Sequence, residues 1–232
     1  MATMPRMRRL GTAVAAAALT VLLAAAGCKG GGDDDAADLP DGGELLQAAA
    51  DEMAQVETVA IQLEADTDLA GLPLRQVDCV ITQAGAAQGT AQVEQLGQRV
   101  EVQFVVLDDT FHYQLLGGWQ ELPLAEATDF YDPSAVLDPQ RGLANLLRNA
   151  TDPTVEGRDG DAYEVTATFG AADLAVLVPG AADGTRGTVW IGVDRPLLHR
   201  ARFPVPAAGG GEPGTLSASL SDFDQPVDIT AP

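Results

Sequence analysis

From residue 44 the apolar positions first recur every three to four residues. Leu45, Leu46, Ala49, Met53 and Val56 form one stripe, which predicts an amphipathic helix over 44–56. The period then drops to two. Val59, Ile61, Leu63 and Ala65 alternate with Ala60, Gln62, Glu64 and Asp66, the pattern of a half-buried strand. A second strand is predicted over 74–82, after a Leu69-Ala70-Gly71 turn, and a weaker third over 89–96, with Ala91 and Val93 on its less polar side. Val100, Val102, Phe104 and Val106 mark a fourth, and Phe111, Tyr113 and Leu115 a fifth, joined to it across Asp108-Asp109.

The centre of the chain turns helical. Asp132-Pro133 and Asp138-Pro139 each place a good N-cap before a proline at the first helical position. The second predicts a helix over 139–149 whose apolar face is Leu143, Leu146 and Leu147, with Ala150 just beyond. Tyr163, Val165, Ala167 and Phe169 restore the strand period, and a short helix over 171–177 is closed by Pro179-Gly180. Further strands are predicted over 188–193, 197–205 and 216–222, with a proline- and glycine-rich loop over 204–214 and a short terminal strand at Val227 and Ile229. Eight or nine strands, mostly hairpin-linked, and three helices make an α+β domain: one large antiparallel sheet with helices on one face.

The first 43 residues follow neither period. Arg6, Arg8 and Arg9 precede an apolar stretch over 11–26, too short for a membrane span of about 20 residues but suited to a secretory signal. It ends Val21-Leu22-Leu23-Ala24-Ala25-Ala26-Gly27-Cys28, the pattern of a bacterial lipobox. Residues 1–27 are thus read as a signal peptide and Cys28 as the lipidated first residue of the mature protein. Ala25 stands where leucine is usual, and an ordinary cleaved signal or a retained anchor are the competing readings. Arg8-Arg9 lacks a following Phe-Leu, which favours Sec-type over twin-arginine export. Residues 28–43 are glycine- and aspartate-rich and predict a lipidated flexible tether, leaving 44–232 as the folded domain. About fifteen such residues have an r.m.s. span of roughly 20 Å and a limit near 50 Å. Asp33-Asp34-Asp35 lacks the spacing of a calcium loop and is read as tether solvation.

Charge narrows the partners. The chain carries −21, and cleavage after residue 27 removes three arginines and no acids, giving −24. Nucleic acid is excluded as a phosphate-neutralised partner, and anionic headgroups repel the domain, so membrane attachment must come from the lipid on Cys28. With Cys28 acylated, Cys79 has no disulfide partner; its register with Val77 and Ile81 makes it a small buried hydrophobe. Candidate chemistry is sparse. His112 falls on the polar side of its strand, and His199 shares the apolar register of Leu197, Ala201 and Phe203. There is no Gly-x-Ser-x-Gly elbow, no metal-ligand spacing of His and Cys, and no glycine-rich phosphate loop after a strand. The chain reads as a non-enzyme without metal or cofactor.

Four separated blocks carry a resemblance. They are Phe104-Val105-Val106-x-Asp108, an isolated Trp119, the run from Asp129-x-Tyr131-Asp132-Pro133 through Gly142-Leu143-Ala144-Asn145-x-Leu147 with Glu156-Gly157-Arg158-Asp159 after it, and Thr188-Val189-Trp190-Ile191. In this order they resemble the LppX/LprAFG lipoproteins of actinobacteria, over about residue 39 to the C-terminus. Ala25, Cys79 and the glycine-rich insertion over 207–211 depart from the pattern. The resemblance implies a half-barrel sheet with helices over its concave face and, between them, an apolar cavity for acyl chains. It implies cargo such as phosphatidylinositol mannosides, lipoarabinomannan or triacylglycerides, carried from the outer face of the cell membrane across the envelope, with an efflux transporter as a possible partner. The cavity candidates are Ala91, Val93, Val102, Phe104, Val106, Tyr113, Trp119, Leu143, Leu146 and Leu147. Trp119 has two readings, core packing or a lid at the cavity mouth, and Tyr131 is a candidate hinge beside it. For the three leucines, packing and cavity lining are one geometry.

Elementary physics asks for such a carrier. A buried methylene is worth about 0.8 kcal/mol, so drawing one sixteen-carbon chain through water costs on the order of 12 kcal/mol. Small inward residues and a chain only 5% aromatic are compatible with a roomy interior, though an alanine-rich core can also pack tightly. Two other functions compete: a non-carrier lipoprotein that scaffolds or regulates a membrane transporter, and an envelope hydrolase using His199.

Overall fold

Each alternating run becomes a strand in the computed structural model, which describes residues 39–67, 74–95, 98–115, 117–127, 135–175, 181–206 and 212–232. Six strands, β1 (Thr58–Ala65), β2 (Leu74–Thr82), β3 (Ala87–Gln95), β4 (Gln98–Leu107), β5 (Thr110–Leu115) and β6 (Gly118–Pro123), step outward to one edge. Five more start at the opposite edge: β7 (Thr151–Asp159), β8 (Ala162–Phe169), β9 (Thr185–Gly192), β10 (Leu198–Val205) and β11 (Gly214–Ser221). β11 returns to pair with β1, which gives one open sheet of eleven strands, all pairs antiparallel, in the order β6-β5-β4-β3-β2-β1-β11-β10-β9-β8-β7.

The sheet holds eleven strands against the eight or nine expected, and the two that no predicted segment covers, β6 and β7, are both edges. No residue of β6 or β7 is fully buried, and the half-buried alternate positions of β7 are Pro153, Val155 and Gly157, of which only Val155 is a strand-type apolar residue, too weak a set for a period-two reading to detect. The expected strand at Val227 and Ile229 does not form, and a four-residue helix that no pattern predicted, α2 (Leu124–Ala127), follows β6. The helix over 44–56 is α1 (Gly42–Met53); it starts earlier because the Asp41 carboxylate accepts from the Glu44 N–H at 2.9 Å and caps it. The helix over 171–177 is the single turn α4 (Ala171–Leu174). Residues 1–38, with Cys28, and the Asp132-Pro133 cap lie outside the described residues.

The helix expected from Pro139 begins four residues later, as α3 (Leu143–Asn149). Asp138 does act as a cap: its Oδ1 accepts from the Gln140 and Arg141 N–H groups at 2.8 and 3.1 Å. That cap closes only one turn, ended by the Gly142 N–H donating to the Asp138 carbonyl at 2.7 Å. Gly142 is extended and pressed so close to residues 135–136 that a Cβ there would stand 2.2 Å from the Val136 carbonyl oxygen. The helix therefore restarts after it. This crossover over 124–150 carries the chain from the β6 edge to the β7 edge.

One face of the sheet is apolar and carries the helices; the other is polar. Leu45, Leu46, Ala49, Ala50 and Met53 of α1 join Leu143, Leu146 and Leu147 of α3 and the inward side chains of the strands in one buried core. α1 is fastened at both ends. Its start lies on Pro153 of β7, and Arg195 donates to Glu52 at 2.8 Å and to Asp224 at 3.0 Å.

Candidate functional site

Strand register places six of the ten cavity candidates side by side on the apolar face. Ala91 of β3 pairs with Val102 of β4, and Phe104 of β4 pairs with Tyr113 of β5; Val93 and Val106 share their parity. Phe111 belongs with them. It lies 6.0 Å from Phe104 and 5.9 Å from Tyr113, ring centre to ring centre, in one aromatic row. The alternation already set Phe111 beside Tyr113, so the signal for it was present. At the end of the row the Tyr113 hydroxyl donates to Gln120 Oε1 of β6 at 3.0 Å.

The cover over this apolar face is uneven. On the other half of the sheet Val165, Phe169, Ile191 and Phe203 are 1% exposed or less, and α1 lies against β7 and β9. On β3–β5, by contrast, Ala91, Val93, Val102, Phe111 and Tyr113 are only half-buried. A half-covered patch of apolar and aromatic side chains thus continues a fully packed core. An acyl chain laid on it would exchange water for hydrocarbon without displacing any packed group.

The other four candidates sit elsewhere. Leu143, Leu146 and Leu147 are wholly buried on α3, which packs against α1 and α4. Trp119 pairs with Gln114, and this register sends it to the polar face, opposite Phe104 and Tyr113. It is 40% exposed. The core-packing reading of Trp119 fails there; its strand, an edge with no apolar alternation, gave no register from which to infer a face.

The reactive groups are quiet. Burial pushes the Cys79 thiol up to about 12, with the Asp78 charge adding to the effect, so it stays protonated at neutral pH. His112 faces Glu121 at 3.8 Å on the polar face. His199 sits at a bulge between Leu198 and Arg200 and packs edge-on against Phe223, 5.6 Å away. Among the described residues no charged or polar residue is fully buried, and no three His, Cys, Asp or Glu side chains gather as metal ligands.

Residues 41–229 match the family model described as LppX_LprAFG lipoprotein. The chain belongs to this family. Its LppX/LprAFG relatives include the lipoarabinomannan carrier protein LprG of Mycolicibacterium smegmatis, 33% identical over 206 residues, 84% of this chain and 85% of that one. The protein of the same name from Mycolicibacterium hassiacum is 34% identical over 208 residues, 85% of this chain and 87% of its own. Among solved structures, LprF from Mycobacterium bovis superposes with a TM-score of 0.72 at 25% identity, covering 84% of this chain and 98% of that one. LppX from Mycobacterium tuberculosis shares the fold, with a TM-score of 0.61 at 20% identity over 81% of this chain and 97% of that one.

Proposed function

We propose that this LppX/LprAFG lipoprotein is a membrane-tethered carrier that takes the acyl chains of (glyco)lipids against the apolar face of β3–β5 and moves them across the cell envelope. The observation that carries the reading is the half-buried patch of Phe111, Tyr113, Ala91, Val93 and Val102 that continues from buried Phe104. Similarity to proteins named lipoarabinomannan carriers supports it; the cargo class in this reading is a multi-acylated lipid of the lipoarabinomannan, phosphatidylinositol mannoside or triacylglyceride type. Such cargo needs no chemistry from the protein, in keeping with a carrier rather than an enzyme. In the same reading residues 1–27 are removed, Cys28 is acylated, and the segment after it tethers the domain to the outer face of the cell membrane; the tether ends before the expected residue 43, because Asp41 caps α1 and Gly42 and Gly43 belong to that helix. A membrane transporter would supply cargo to it.

Organic extraction and mass spectrometry of the full chain made in an actinobacterial host test the proposal. The expected result is an acylated lipid at near one equivalent, reduced at least tenfold by Phe104→Asp in a variant that still folds. A domain reproducibly empty of acylated lipid overturns it in favour of a module that scaffolds or regulates a transporter.

A further inference from the structure

The polar face carries a feature that acyl binding leaves unused. Register sets Gln62, Gln76, Gln88, Gln92, Gln103 and Gln114 outward on the five adjacent strands β1–β5. All six are exposed or half-exposed. In a chain with 34 acidic residues, solvation of a sheet face is met by carboxylates, and it gives no reason for six neutral amides in one patch. Two of them hold Asp78 between them: its carboxylate accepts from Gln62 Nε2 at 3.0 Å and from Gln76 Nε2 at 2.7 Å. No described residue hydrogen-bonds the side-chain amides of Gln88, Gln92, Gln103 or Gln114.

A groove of about 680 Å³ crosses this patch, a volume inside the range of small-ligand sites, about 300–1,000 Å³. Ala60, Val80 and Val105 contribute its apolar surface, Gln62, Gln88 and Gln103 its amides, and Trp119 closes one end. Asp78 alone among the lining residues is charged, so neither a phosphate nor a cation finds a countercharge cluster there. Trp119 is the single large hydrophobic side chain exposed among the described residues. A neutral amide both donates and accepts, which matches a hydroxyl, and an indole offers a flat apolar face for the C–H side of a sugar ring.

We propose that this groove binds a neutral, polyhydroxylated glycan strand, with Trp119 stacking on one sugar and Gln62, Gln88 and Gln103 hydrogen-bonding its neighbours. The glycan has two possible sources: the headgroup of the carried glycolipid or a free envelope polysaccharide. The first rests on the carrier reading and has a route. Trp119 is on edge strand β6, next to Gln120, which meets Tyr113 on the opposite face. One molecule could thus place acyl chains on the inner side of β4–β5 and pass its glycan around the β6 edge.

Calorimetric titration of the full chain with delipidated arabinomannan, set beside uptake of a fluorescent fatty acid, tests this. The wild type is expected to bind the glycan. Trp119→Ala and the double variant Gln62→Ala/Gln103→Ala should weaken that binding at least tenfold, with fatty-acid uptake unchanged and Trp119→Phe recovering part of the loss. A wild type that takes up fatty acid but not glycan, or a Trp119→Ala protein that binds glycan normally, overturns the groove and leaves the carrier standing. Glycan binding without fatty-acid uptake overturns the carrier and leaves the groove. With intact lipoarabinomannan, an equal weakening by Trp119→Ala assigns the glycan to the cargo; weakening confined to the free glycan assigns it to an envelope polysaccharide. If Trp119→Ala impairs only attachment to neutral phosphatidylcholine vesicles, the residue is a membrane contact and the proposal fails.

Discussion

Asp108 and Asp109 both stand at positive φ, 48° and 61°, and Leu107 pairs directly with Thr110 across them. That is a two-residue turn of type I′, the hand that matches strand twist, with aspartate at its second position where glycine is preferred. Asp109→Gly should therefore raise stability by about 0.5–1 kcal/mol, read as a higher urea midpoint at unchanged slope. Asp224 tells the opposite story, a side chain in a favourable place. It accepts from the Glu57 N–H at 2.9 Å and from Arg195, and these hydrogen bonds, the backbone one first, hold its carboxyl below the usual carboxylate range. Asp138 is lowered in the same way by the Gln140 N–H and by Arg141. A carboxyl whose folded pKa lies below its unfolded value, about 3.9, stabilises the fold above that value and loses the contribution as pH falls through the folded pKa. Thermal midpoints should hold steady above about pH 5 and decline below about 4. Asp224→Asn should lower the plateau and flatten the acid limb; an acid limb identical to wild type would show that the carboxylate contributes nothing.

Among the elements, legibility followed burial. Strands with one face in the core announced themselves by alternation, and β2 begins and ends where the pattern said it would. The two edge strands bury no side chain fully and went unseen, and with β6 went the face of Trp119. The β3–β5 patch was readable because both its members and their register follow from the same period. Where local chemistry misled was the crossover: Asp138-Pro139 is a sound helix start, yet the helix that follows is broken by Gly142. That break is tertiary. A side chain at Gly142 would collide with the carbonyl oxygens of Val136 and Ala135, at 2.2 and 2.5 Å from the Cβ, so the two turns can lie together only over a glycine. Gly142→Ala should cost about 2 kcal/mol or more, since backbone and not a flexible side chain must yield. Because α3 packs on α1, the loss should reach both helices, and hydrogen exchange should show α1 opening together with α3.

For the whole molecule the deciding quantities are charge and reach. Cleaved after residue 27 as proposed, the chain would carry −24 and be repelled by an anionic membrane surface, and none of the described helices is long and apolar enough to cross a bilayer. If the domain is the proposed carrier, alone it would spend little time beside the membrane that holds its cargo. The proposed lipid on Cys28 would change this by mass action: a tether of roughly 20 Å r.m.s. span would confine the domain to a thin shell over the bilayer and raise its effective concentration there. Loading and lipid affinity then separate as properties. In the proposed reading affinity belongs to the β3–β5 face and loading to the anchor. Cys28→Ala protein should bind an acyl probe in solution as tightly as wild type. In cells it should leave the membrane fraction and carry several-fold less extracted lipid per molecule. Equal lipid content in tethered and untethered proteins would mean that the domain meets its cargo away from the membrane, handed over by a soluble partner, and that the lipid on Cys28 serves address and not supply.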